Sequence, residues 1–420
     1  MLEHFFVRSH VIARLRQGLL GPYLDDLATS LHRQGYAPSS IQSYLRTGDT
    51  FGRWLHRHGY PVSALDAAVV QRYVTGLRRY RSGHLPKAAE GLNHLLRFRQ
   101  HQGVVPRWSA APPATSVDLW LAEYATYLDQ VVGVAVGTRQ GYLRLARRFL
   151  TACFGSAPPP DWSALTAPMI TAFVCQEAAQ RQGAGRQGPA IAVRSLLRFL
   201  VFRGAIRPGL EAAAPLPPQW THAALPPRLL PHEVELLLTT SAGDTARSRR
   251  NHAILLLLAR LGLRAHAVVS LCLDDIDWAD GRLGIRPGKT HQARSLPLSH
   301  EVGEALVTYL QSGRPSSDRR QVFLQCRPPF QALTHRAVWW VVRQAYQRAG
   351  LVPRPRTGSH LFRHTAASQM VNRGASFKDV ADVLGHRSLQ TTGIYAKLEL
   401  ETLAAVALPW LGGAPCLPMS

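Results

Sequence analysis

His360-Leu361-Phe362-Arg363-His364-Thr365, followed after a short interval by Leu384-Gly385-His386-Arg387-Ser388-Leu389-Gln390-Thr391-Thr392-Gly393-Ile394-Tyr395, is the stretch around which the rest of the chain can be organised. Leu361, Phe362, Ala366 and Met370 recur with a helical rhythm over 360–373 and stop at Gly374, which predicts a helix there. His360 and Arg363, three apart, then leave one face of that helix and set a proton acceptor beside a guanidinium. Residues 377–384 predict a second short helix stopped by Gly385, and 391–397 a third. That third helix carries Tyr395, a candidate nucleophile, nine residues beyond His386.

Upstream, Leu261-Gly262-Leu263-Arg264 precedes Leu271-Cys272-Leu273-Asp274-Asp275-Ile276-Asp277-Trp278. Gly288-Lys289-Thr290 precedes Arg294-Ser295-Leu296-Pro297-Leu298. In this order, with the His-x-x-Arg, Leu-Gly-His and Tyr signals behind them, the segments resemble the tyrosine recombinase (phage integrase) family over roughly 229–408. The resemblance implies a site made of Arg264, Lys289, His360, Arg363, His386 and Tyr395, working without metal, cofactor or ATP. Tyr395 would attack a scissile phosphate to form a 3′-phosphotyrosine link, and Arg264 and Arg363 would hold the non-bridging oxygens as forked donors. His360 would accept the tyrosine proton, His386 would hydrogen-bond the phosphate, and Lys289 would be the general acid for the 5′ oxygen. The chain departs from the family at Ala267, where an acidic residue is common, and Asp274 or Asp275 are the substitutes within reach along the sequence. Phe362 stands where leucine is more usual.

Charge and composition fit that reading. The 420 residues carry a formal net charge of +23 and a sequence pI of about 10.9, so polyanions, nucleic acid first, are the expected partners. Only Lys87, Lys289, Lys378 and Lys397 are lysine; the remaining basic residues are arginine, whose planar donor fork suits phosphate. Cys153, Cys175, Cys272, Cys326 and Cys416 show neither a paired spacing nor a zinc-ligand pattern, which fits a reducing cytoplasm. The longest apolar run, 253–259, is far too short to span a membrane and reads as a core helix. The first residues do not read as a targeting peptide.

The N-terminal half reads as a diverged duplication with an offset of about one hundred residues. Gly35-Tyr36-Ala37 and Ser43-Tyr44-Leu45-Arg46 return as Gly133-Val134-Ala135 and Gly141-Tyr142-Leu143-Arg144, and Leu95-Leu96-Arg97-Phe98 returns as Leu196-Leu197-Arg198-Phe199. Four helices are predicted in each copy, at 23–34, 40–58, 67–77 and 88–102, then at 119–131, 138–154, 168–182 and 189–203. Fifteen basic residues face six acidic ones over 1–110, and ten face five over 111–210. Both copies resemble the SAM-like core-binding domain that precedes the catalytic domain in tyrosine recombinases, so DNA contact is implied for each.

The expected layout is therefore mainly α with a small antiparallel β-sheet: a first core-binding-like domain at 1–107, a second at 115–207, a mixed α/β catalytic domain at 229–408 and a tail at 409–420. Proline-rich spacers, extended and unpacked, are expected at 106–116 and 208–231. Within the catalytic part, helices are predicted at 232–240, 248–261, 301–311, 334–348 (with Trp339 and Trp340 on its apolar face) and 399–407. Strands are predicted at 271–278, 283–286 and 294–298, with Lys289 at a hairpin tip. The function implied is site-specific DNA recombination for a mobile element by a homo-oligomer, a tetramer on paired double-stranded sites, with related recombinases as further partners and no membrane. Two other readings stay open: a weakly catalytic DNA-binding partner in a multi-recombinase complex, and a type IB topoisomerase-like enzyme.

Overall fold

The computed structural model describes residues 1–62, 65, 67–80, 85–101, 115–155, 160–181, 183–218, 227–287, 293–353, 357–385, 392, 394 and 395. They fall into two compact units, one drawn from Met1–Ala64, Arg72–Phe98 and Ala224–Ser420, the other from Leu65–Gln71 and Arg99–Ala223. The chain begins with α1 (Leu2–Phe5), α2 (Ser9–Gln17), α3 (Gly21–Arg33), α4 (Pro38–Arg57), α5 (Ala67–Tyr80) and α6 (Leu85–His101). Pro38 opens α4 because its locked φ suits the first turn and its missing N–H would have had no helical partner. Leu24, Leu27, Leu31, Ile41, Leu45, Phe51, Leu92 and Leu95 are buried on the facing stripes.

The second unit contains α7 (Ser116–Gln130), α8 (Val136–Phe154), α9 (Ala167–Ala179) and α10 (Gly188–Phe202). Thr115 and Asp118 close a reciprocal capping box at the start of α7. All eight helices expected in the N-terminal half are found, within a few residues of their expected bounds. The core of this unit joins Tyr124, Leu128, Phe149, Ile170, Val193, Leu196 and Phe199, and it also takes in Ala214. That last contact corrects the expected spacer at 208–231. Its first part forms a 3-10 turn, Leu210–Ala213, and is tied down by Arg194 and Thr171, which donate to the carbonyls of Ala214 and Ala213. Proline density predicted an open strap; satisfied carbonyls and a buried alanine make its first part, up to Ala214, a packed one.

The remaining elements are α11 (Pro231–Ser241), α12 (Ala246–Leu261), α13 (Ala265–Ser270), β1 (Ile276–Asp277), β2 (Arg282–Ile285), β3 (Arg294–Pro297), α14 (His300–Ser312), α15 (His335–Arg348), α16 (Ser359–Asn372) and α17 (Phe377–Leu384). Helix α12 is buried on every side from Ala253 to Leu258, as its unbroken apolar run requires, and is packed by α11, α14, α15 and α16. The sheet is antiparallel in the order β1-β2-β3, with Ile276 opposite Leu283, Leu283 opposite Leu296 and Ile285 opposite Arg294.

Two expectations here are corrected. The strand expected at 271–278 shrinks to two residues, because Asp275 accepts a hydrogen bond from the Cys272 N–H at 2.7 Å and closes a 3-10 turn over Leu273–Asp275. Trp339 and Trp340 are 40 % and 51 % exposed; the buried stripe of α15 is Val338, Val341, Val342, Ala345 and Tyr346, and the paired tryptophans lie off it. Lys289, His386, most of 391–397, the helix expected at 399–407 and the tail at 409–420 lie outside the described residues.

Candidate active site

Helix α12 ends at Gly262, whose φ of +59° is the left-handed conformation that only glycine adopts freely. A Cβ there would also stand 2.8 Å from Leu384 and 3.3 Å from Ala366. The turn therefore lets α16 and α17 approach closely and delivers Arg264 to the N-cap of α13. Arg264 points its Nη1 at the carbonyls of Leu384 and Gly385, 3.4 and 3.5 Å away, too long for strong hydrogen bonds. Arg363, on α16, is 4 % exposed and donates from Nη1 to the Gly262 carbonyl at 2.9 Å and from Nη2 to the Leu384 carbonyl at 2.5 Å. Two of the arginines expected in the site thus converge on the carbonyl end of α17, where unpaired C=O groups and the helix dipole favour cations.

A third guanidinium joins them. Arg294, half-buried at the start of β3, lies so close over Gly385 that a Cβ on that glycine would overlap its Nη1. Gly385, with φ at +65°, is again left-handed and closes α17. The arginines repel one another. Burial, then Arg264 and Arg294, push Arg363 down to about 9, still charged at neutral pH. Burial lowers Arg264, and burial with Arg264 lowers Arg294. Among the described residues no carboxylate pairs with any of the three.

Tyr395 is 1 % exposed in a small apolar cluster with Ala367, Val371, Val380 and Leu384. Burial pushes its phenol up to about 12, against the pull of Arg363. Its hydroxyl is hydrogen-bonded to Nδ1 of His364 at 2.8 Å. His360, one turn earlier on α16, is exposed at its outer edge, and the protein around it together with Arg363 and Arg264 lowers its pKa. The geometry thus joins Arg264, Arg363 and Tyr395, adds Arg294 and His364, and leaves Lys289 and His386 undescribed. His364 was readable as the residue four after His360 on the same helical face, and Arg294 as a cation on the buried face of a strand.

Among the described residues, the acidic residue common in the family beside Arg264 has no stand-in. Ala267 packs against the core, Asp274 pairs with Arg320, and Asp275 pairs with Arg286 while capping Cys272. No metal-binding cluster of His, Cys, Asp and Glu occurs among the described residues, and no described helix is long and apolar enough to cross a membrane.

Residues 227–401 match the model of the phage integrase family. A protein named as an integrase/recombinase, y4rA of Sinorhizobium fredii (strain NBRC 101917 / NGR234), is 33 % identical over 415 residues, covering 98 % of this chain and all of that one. The tyrosine recombinase XerD of Mycobacterium tuberculosis (strain ATCC 25618 / H37Rv) is 31 % identical over 317 residues, covering 71 % of this chain and 97 % of its own. The fold is similar to that of lambda integrase, solved as a tetramer bound to a Holliday junction, with a TM-score of 0.52 at 17 % identity over 66 % of this chain and 76 % of the other.

Proposed function

The chain belongs to the phage integrase family of tyrosine recombinases, and from that premise we propose that it cuts and rejoins DNA at specific sites through a phosphotyrosine on Tyr395, in the service of a mobile element. The observation that carries the mechanism is the convergence of Arg264 and Arg363 on one point, with Arg363 near enough to act on the Tyr395 phenol. Those arginines bind the non-bridging oxygens, where loss of one such donor costs ~3–4 kcal/mol of barrier. Tyr395 Oη attacks phosphorus as the 5′ oxygen leaves; Lys289 protonates that oxygen and His386 hydrogen-bonds the phosphate. A phenol raised to about 12 is almost wholly protonated at neutral pH, so its proton must leave during attack. His360 and His364, one turn apart on α16, are the two acceptors, and His364 already holds the hydroxyl.

Double-stranded recombination sites are the substrate, and the active form is a tetramer of this chain on paired sites; lambda integrase was solved as a tetramer, bound to a Holliday junction. The two four-helix sets of the N-terminal half act as duplicated DNA-binding domains, the first as an accessory reader.

The test uses a randomised duplex pool from which detergent-stable adducts are recovered and sequenced, followed by a nicked suicide duplex built on the enriched site. Wild type is expected to form an adduct mapping by mass spectrometry to Tyr395, and Tyr395→Phe none. Absence of adduct from wild type, or its survival in Tyr395→Phe, overturns the mechanism.

A further inference from the structure

We propose that Arg294 is a third phosphate-neutralising residue of the site, alongside Arg264 and Arg363. The inference rests on the recombinase reading and adds to it a residue outside the six expected ones. Arg294 lies opposite Ile285 on the sheet face that also carries Leu283 and Leu296, both buried. A charged side chain on such a face normally brings a counter-charge with it, because burying an unpaired ion is costly. Here Arg294 Nε is fully buried without a hydrogen-bond partner, and no described carboxylate lies within ion-pair distance. Its neighbours worsen the position, since Arg264 lowers the pKa of Arg294, and Arg264 and Arg294 that of Arg363.

Three like charges gathered around Leu384 and Gly385, facing only backbone carbonyls among the described residues, make an anion site. A phosphodiester in attack gains negative charge on two non-bridging oxygens, which Arg264 and Arg363 take up. The third guanidinium answers the charge that two leave over. It also serves where this chain lacks the acidic residue beside Arg264: with Ala267 there, nothing among the described side chains draws Arg294 or Arg264 away from the phosphate.

The experiment compares wild type, Arg294→Met and Arg264→Met on two suicide duplexes, one with an ordinary scissile phosphodiester and one with a neutral methylphosphonate there. Arg294→Met is expected to form adduct ~10²-fold more slowly than wild type on the phosphodiester, the usual cost of one lost electrostatic donor. On the methylphosphonate, where there is less charge to neutralise, the two are expected to agree within a few-fold. Alongside, millimolar pyrophosphate at fixed ionic strength is expected to raise the Tm of DNA-free wild type and to lose most of that effect in Arg294→Met. A variant equally slow on both duplexes, or one that keeps the full pyrophosphate shift, makes Arg294 a structural prop for Gly385 and overturns the proposal. Wild type without adduct on the phosphodiester would instead sink the recombinase mechanism, and the pyrophosphate shift still decides whether Arg294 binds an anion.

Discussion

Two clusters of buried charge, one in the helical unit of α7–α10 and one at the end of α17, are built on opposite plans. In the helical unit Glu177 is 3 % exposed, and it is met by Arg148 and by Arg181, the latter at 2.7 Å. Asp118 likewise meets Arg147 and caps α7. Both of these acids are closed within the fold. At the end of α17, Arg264, Arg294 and Arg363 have, among the described residues, one another and a few carbonyls. A fold can carry such an imbalance when the missing charge comes from a ligand, since that ligand then stabilises the protein by binding. Paired burial marks a charge used for structure, and unpaired burial marks one held for a partner.

The sharpest way to break the comparison is to remove Arg363. Arg363→Met is expected to slow adduct formation by ~10²–10³-fold, while the urea midpoint of the DNA-free protein holds or rises, because an apolar chain of similar size replaces a repelled cation. A large loss of stability would mean that its bonds to the Gly262 and Leu384 carbonyls outweigh the repulsion.

Glu177→Ala should behave in the reverse sense. It is expected to cost about 1–2 kcal/mol in urea unfolding, since charge-assisted hydrogen bonds are lost while both arginines can turn to solvent. Adduct formation at a temperature where the variant stays folded should be unchanged. Equal loss of activity and stability would erase the distinction.

The smallest expected effect is in the pH profile. His360 binds its proton less tightly in the fold than in the unfolded chain, so it stays neutral at pH 7 and takes a proton only below its ordinary value of 6.5. Acidification through that range should favour unfolding and remove an acceptor. If His360 accepts the Tyr395 proton, adduct formation falls with a midpoint below 6.5, and His360→Gln abolishes that limb. If His364 does so, His360→Gln leaves the profile as it is in wild type.

Much of the site was readable in the chain. The helix expected at 248–261 and the spacing of His360 and Arg363 depend on local rules, an apolar run and the three-residue repeat of a helical face, and both hold. The eight N-terminal helices hold for the same reason. The strand at 271–278 failed because a side-chain cap, local but unmarked in the apolar pattern, outcompeted extension. The tryptophans of α15 failed because a period of 3.6 leaves Trp339 and Trp340 just off the stripe that packing selected.

By itself the sequence determined the order of most elements, the basic character of the chain and the helix that sets His360 and Arg363 three apart, since each follows from residue type and short-range geometry. Tertiary structure alone decided that Arg294 joins Arg264 and Arg363, that His364 rather than His360 holds the Tyr395 hydroxyl, and that no described carboxylate answers the cluster. These are contacts between residues far apart in the chain, and burial sets their energies, so no local pattern encodes them.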